Sequence, residues 1–168
     1  MDIEQLPDLY EIQMLKARYF RYMDTKQWDA FRDVFTDDMQ LYMDDAPVPL
    51  STTPTFTDPD VLVAFLKKMP GSITIHQGHM PEIEFVDRDN ANGIWAMYDW
   101  VDDPAGLGGA WVGYGHYHER YTRCPDGKWR IASVHLTRLR VNEVPPQARE
   151  GNPTVSVSEA GSGPSSES

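Results

Sequence analysis

The chain has 168 residues, enough for one domain with a sizeable core, and its 15 Lys and Arg against 26 Asp and Glu give a net charge of −11, which makes nucleic acid an unexpected partner. A composition of 40% hydrophobic and 11% aromatic residues predicts a folded protein, in which the single cysteine, Cys124, can form neither an intrachain disulfide nor a cysteine metal cluster. No apolar run reaches the roughly 18–20 residues of a membrane span, and the acidic start MDIEQLPD lacks a signal peptide's features, so a cytoplasmic protein with no membrane partner is expected.

Ile12, Leu15, Tyr19, Tyr22 and Met23 recur at helical spacing with Glu11, Lys16, Arg18 and Arg21 between them, which predicts a first helix stopping near Asp24-Thr25. A second, short helix is predicted through Trp28, Phe31, Val34 and Phe35 to Asp37-Asp38, and MQLYM reads as a short extra strand. Asp58-Pro59 supplies an N-cap and a proline at the first helical position for a third helix through VLVAFLKKM to Pro70-Gly71. Four long strands follow: SITIHQGHMPEIEFV, IWAMYDWV, AWVGYGHYHERYTR and KWRIASVHLTRLR, joined by turns at DRDNANG, DPAGLGG and CPDG. The expected fold is α+β, with three N-terminal helices packed on a strongly curved antiparallel sheet that encloses a cone. The domain spans residues 1–141. Residues 142–168 read as a flexible Pro/Ser/Gly-rich acidic tail, which carries −3 and leaves −8 on the body.

Residues two apart on a strand share a face, so each long strand divides into an inward and an outward set. Trp95, Met97, Asp99 and Val101 form an apolar set holding one carboxylate, and Ala132, Val134, Leu136 and Arg138 a similar set holding one guanidinium. Trp111, Gly113, Gly115 and Tyr117 form the third wall, where the glycines leave room for a ligand. Trp95, Met97, Tyr117, Trp111, Val134 and Leu136 are therefore the expected substrate-binding residues. An ion inside such a wall costs several kcal/mol unless paired or used, which marks Asp99 and Arg138 as candidate site residues or as a structural pair with each other. His116, His118 and His135 fall on the opposite face, away from the expected cavity, so no metal site is assigned to them. An exposed outer face of Tyr98, Trp100, Tyr114, Tyr121 and Ile131 predicts a homo-oligomer, dimer or trimer.

The run LKARYFRYMDTKQWDAFRDVFTDD, followed by TIHQGHMPEIEF, GIWAMYDWV, GHYHERY and DGKWRIASVHLTRLRV, resembles the SnoaL-like branch of the NTF2-like superfamily, and in particular its bile-acid dehydratase-like and scytalone dehydratase-like members. The resemblance covers residues from about 10 to 141 and implies the α+β cone. It further implies a catalytic histidine oriented by an aspartate at the end of the first helix, at His76 and Asp24, with Tyr19, Asp99 and Arg138 as polar partners. No metal or organic cofactor is implied.

An imidazole with an ordinary pKa near 6.5 can take and return a proton near neutrality, and a carboxylate on its other nitrogen fixes the tautomer. The expected activity is a cofactor-independent lyase of the dehydratase type, acting on a hydrophobic cyclic hydroxy compound such as a sterol-like, polyketide or aromatic molecule. Isomerase or cyclase chemistry from the same base, or a non-catalytic binding protein, are the alternatives. Tyr19 and Asp24 are five residues apart, about 140° on an ideal helix, so both can serve one site only if the helix ends or bends there.

Overall fold

In the computed structural model residues 3–68, 73–102 and 109–145 are described. A 3-10 turn at Ile3–Gln5 leads into α1 (Leu6–Asp24), followed by α2 (Trp28–Arg32), β1 (Phe35–Asp44), α3 (Pro59–Leu66), β2 (Thr74–Phe85), β3 (Asn90–Asp102), β4 (Ala110–Arg123) and β5 (Trp129–Val144). The predicted DPAGLGG turn falls largely on 103–108, and most of the predicted tail on 146–168, both outside the described residues.

The strands form one sheet in the order β1-β5-β4-β3-β2. Neighbours from β2 to β5 are antiparallel, but β1 runs parallel to β5. The expected strongly curved antiparallel cone is therefore corrected: the sheet is mixed, and it is an open layer whose edge strands, β1 and β2, do not pair with each other. The reason lies in how β1 is delivered. Only Asp33 and Val34 separate it from α2, and the Val34 carbonyl already accepts from the Ile131 amide at 2.9 Å, so the strand joins the β5 edge with its direction set. Two element limits change with it. The second helix stops at Arg32 instead of Asp37-Asp38, and β1 precedes α3, so the three helices do not all come before the sheet. Phe35, Met39 and Leu41 are buried on this strand while Asp37 and Asp38 sit exposed at a register shift.

Helix α1 crosses the sheet with Ile12, Leu15, Lys16 and Tyr19 buried, an i, i+3, i+4, i+7 stripe. Lys16, expected between the apolar positions, is instead fully buried on that stripe. Its Nζ meets Glu119 Oε1 of β4 at 2.5 Å and lies 3.7 Å from the ring centre of Tyr117 and 4.1 Å from that of Tyr19. The Tyr121 hydroxyl donates to the second oxygen of Glu119 and accepts from Trp95 Nε1 at 2.8 Å, so every member of this buried chain has a partner. Tyr121 and Ile131, expected on the outer face, are both core residues. Tyr121 has the same parity as Tyr117 and Glu119. Ile131 is turned inward by a bulge at Ala132: Tyr121 pairs with Ile131 but Arg120 with Ser133, so the inward set passes from Trp129 and Ile131 to Val134 and Leu136.

Breaking a buried ion pair strands the remaining charge. Lys16→Met is expected to lower unfolding free energy by about 3–5 kcal/mol, whereas Lys16→Met/Glu119→Gln, which removes both charges, recovers most of that loss. Urea unfolding of the two variants checks this; equal losses would mean that the pair's charge is not what matters.

Candidate active site

The site begins with the last residue of α1. A carboxylate at a helix C-terminus faces the negative end of the macrodipole, so Asp24 needs donors. It has three: Oδ2 accepts from the His76 backbone amide at 2.9 Å, and Oδ1 from the Thr74 hydroxyl at 2.9 Å and His76 Nδ1 at 2.6 Å. An ionised carboxylate only accepts, so Nδ1 carries a proton and, in the neutral ring, Nε2 keeps a lone pair. The Thr74 hydroxyl, having donated to Asp24, accepts from Lys26 Nζ at 2.8 Å. Lys26 reaches it because the chain turns sharply after α1, with φ 59° at that residue. The end of the helix at Asp24 also resolves the angular separation of Tyr19 and Asp24: Tyr19 faces the cavity from inside the helix, and Asp24 acts from its end through His76.

Strand register supplies the rest. His76 stands opposite Asp99, and Asp99 opposite Gly113, so a row crosses three strands on the helix side of the sheet. Arg138 on β5 reaches over the gap left by Gly113 and grips Asp99 with both terminal nitrogens, Nη1 to Oδ1 at 2.9 Å and Nη2 to Oδ2 at 2.8 Å. Nη1 also lies 3.8 Å from Met97 Sδ. A Cβ on Gly113 would fall 2.0 Å from Arg138 Nη1 and 2.2 Å from Asp99 Oδ1, so glycine leaves the space in which the two side-chain ends meet.

These groups border a cavity of about 260 Å³ between the sheet and the helices. Tyr19, Met23, Trp28 and Phe31 line it from the first two helices, Leu62, Phe65 and Leu66 from α3, and His76, Asp99, Trp111, Tyr117, Val134, Leu136 and Arg138 from the sheet. Lys26 and Thr74 also reach it. Of the expected substrate-binding residues, Trp111, Tyr117, Val134 and Leu136 are at this wall, while Trp95 and Met97 lie in the core, Trp95 bonded to Tyr121. Burial, reinforced by the charges of Glu119, Asp99 and Asp24, raises the Tyr19 pKa well above its ordinary value; burial, with Tyr19 and Asp99 nearby, does the same for Tyr117. Both phenols are therefore neutral donors near pH 7. Burial lowers the pKa of Lys26 from its ordinary value, against the pull of the Asp24 charge.

Sequence reasoning missed Lys16, Glu119 and Lys26. The signal for the first two was present, since Lys16 is spaced four from Ile12 and three from Tyr19, and Glu119 shares the parity of Tyr117. His116, His118 and His135 lie on the other face of the sheet, and among the described residues no three or more His, Cys, Asp or Glu are grouped to hold a metal ion. No helix among the described residues is long and apolar enough to cross a membrane.

Residues 4–135 match the SnoaL-like domain family. The chain belongs to that family. It is 27% identical over 139 residues to "Probable cyclase FGR4" of Gibberella zeae, covering 76% of this chain and 89% of that one. Two solved structures share the fold: a "Putative Scytalone Dehydratase" from Novosphingobium aromaticivorans (TM-score 0.71, 17% identity, 94% of this chain and 97% of that one) and the hexachlorocyclohexane dehydrochlorinase LinA-type3 from Novosphingobium barchaimii (TM-score 0.70, 20% identity, 86% and 94%). The SnoaL-like and NTF2-like expectation holds at the level of the superfamily, with no narrower branch selected.

Gly113→Ala is expected to push the Asp99 and Arg138 side chains apart and destabilise the protein by about 1–3 kcal/mol, the cost of overpacking a site where both ions are largely withdrawn from water. Thermal and urea unfolding check this, and an unchanged midpoint would show that the pair can shift at little cost.

Proposed function

We propose that the protein is a cofactor-independent lyase of the dehydratase type acting on a hydrophobic cyclic hydroxy compound. The observation that carries this reading is the 2.6 Å contact between Asp24 and His76 Nδ1, with His76 at the wall of an aromatic-lined cavity. His76 Nε2 takes a proton from the carbon next to an activating carbonyl, breaking the C–H bond. The electron pair becomes the new C=C bond as the C–O bond to the hydroxyl breaks, and the imidazolium returns its proton to the departing oxygen, releasing water. Asp24 holds the ring and stabilises the transient imidazolium. Neutral Tyr19 donates a hydrogen bond to the substrate's carbonyl or leaving oxygen, and the Asp99–Arg138 pair forms the polar part of the wall. The likeness in fold to a scytalone dehydratase and a dehydrochlorinase, both named for eliminations, supports this reading.

A second reading has its own support. The relative named a cyclase is 27% identical, and a base that removes a proton beside a carbonyl serves ring closure or isomerisation as well as elimination.

Incubation with cyclic β-hydroxy ketones, followed by mass spectrometry, is expected to give products lighter by one water. His76→Ala and Asp24→Asn are each expected to slow turnover by about 10²–10⁴ while leaving the fold unchanged by circular dichroism. A product of unchanged mass favours isomerisation or cyclisation. Full activity in His76→Ala removes every reading that depends on this base.

A further inference from the structure

Two cations border the cavity, and they are in different states. Arg138 is spent, because both terminal nitrogens are engaged by Asp99 and the pair carries no net charge. Lys26 is not. Its Nζ donates once, to the neutral Thr74 hydroxyl, and among the described residues no carboxylate lies within ion-pair distance of it. An ammonium has three N–H donors, so two remain for a ligand.

The backbone adds an independent observation. Lys26 has φ 59°, in the left-handed region where glycine or asparagine is the comfortable choice after a helix, yet a lysine is held there with its side chain drawn over Thr74 and its Nζ 5.8 Å from the ring centre of Trp28. Such backbone strain is retained where surrounding structure enforces it, and it concentrates at binding and catalytic positions. The side chain is half withdrawn from water, a setting in which an ammonium gains more from an opposite charge than it would at the surface.

We infer that Lys26 is the anion-recognising group of the cavity, and that the substrate is an apolar ring compound bearing a carboxylate, which Lys26 receives while the rings lie against Trp28 and the aromatic wall. The hydrogen-bonded chain Lys26–Thr74–Asp24–His76 places the anchoring cation and the base on one side of the cavity. A carboxylate held there fixes which carbon is presented to His76. The inference rests on the cavity being a substrate site, but not on the reaction performed in it.

A matched pair of probes separates charge from shape: 2-naphthoate, ionised at pH 7, and its neutral counterpart 2-naphthamide, each titrated calorimetrically into the full chain. The wild type is expected to bind naphthoate about tenfold or more tightly than naphthamide. Lys26→Met is expected to abolish that preference by weakening naphthoate alone. Lys26→Gly is expected to do the same while unfolding at a temperature equal to or above that of the wild type, because glycine relieves the positive φ; a residue kept for structure would not combine lost binding with retained stability. Naphthoate bound no better than naphthamide by the wild type, or equally well by wild type and Lys26→Met, overturns the inference and leaves the acid/base reading intact. Failure of both probes to bind the wild type overturns the cavity as a site for ring compounds and the inference with it.

Discussion

Asp24 ties the end of α1 to the edge strand β2, accepting from the backbone amide and the ring of His76 and from the hydroxyl of Thr74. An edge strand is hydrogen-bonded to a neighbour on one side only, so β2 depends on β3 and on what lies over it. The Asp24 contact sets where the helix stops above the sheet and which imidazole nitrogen carries the proton. It therefore fixes the cavity wall at that end and the state of its base together. A helix terminus built for stability alone would avoid a carboxylate at this position, and the three donors offset what the macrodipole costs.

Asp24, Asp99 and Glu119, carboxylates between α1 and the sheet, have partners of three different kinds: imidazole for Asp24, guanidinium for Asp99 and ammonium for Glu119. The kinds matter chemically. A guanidinium keeps its proton at any relevant pH, and the Lys16 ammonium is shut away under the rings of Tyr19, Phe20 and Tyr117, where it acts as structural filling for charge. Imidazole alone among the three exchanges a proton near neutrality, and His76 alone of the three cationic partners presents such a group to the cavity. Packing thus leaves one group that exchanges a proton near neutrality in a wall whose other charges are the mutually paired Asp99 and Arg138 and the Lys26 ammonium.

Much of this was legible wherever local periodicity and burial agree. On β3 the alternate residues from Ala91 to Val101 are buried as alternation predicts, Asp99 among them, and the Asp58-Pro59 start of α3 is capped as read, with Asp58 accepting from the amides of Asp60 and Val61. On β5 alternation failed because the bulge at Ala132 reverses the parity of one half, and a bulge is decided by the partner strand. Lys16 breaks the rule that a charge means solvent, although its spacing puts it on the apolar stripe, because the compensating Glu119 is 103 residues away. The Asp24–His76 contact spans 52 residues and no periodicity reports it, so it was reached through family resemblance alone. The open sheet was missed for a like reason: the direction of β1 depends on the β5 edge it meets.

A histidine–carboxylate pair is not in itself a base awaiting a substrate, and this chain contains the comparison needed to show it. His135 Nε2 meets Asp44 at 2.5 Å, a contact as short as the one between Asp24 and His76. That pair lies outside the cavity wall, with the His135 ring stacked on Tyr42 at 4.8 Å between centres and 17° between planes. Asp44 also accepts from the amides of Leu50 and Ser51, bonds that hold its carboxyl below the usual carboxylate range and pin the segment following β1. The ring has a partner on each face of its chemistry but no chamber in which a reacting carbon could approach it. What distinguishes His76 is therefore its surroundings: the same pairing, placed where the register of β2 against β3 turns the imidazole toward enclosed apolar space, becomes a candidate for catalysis.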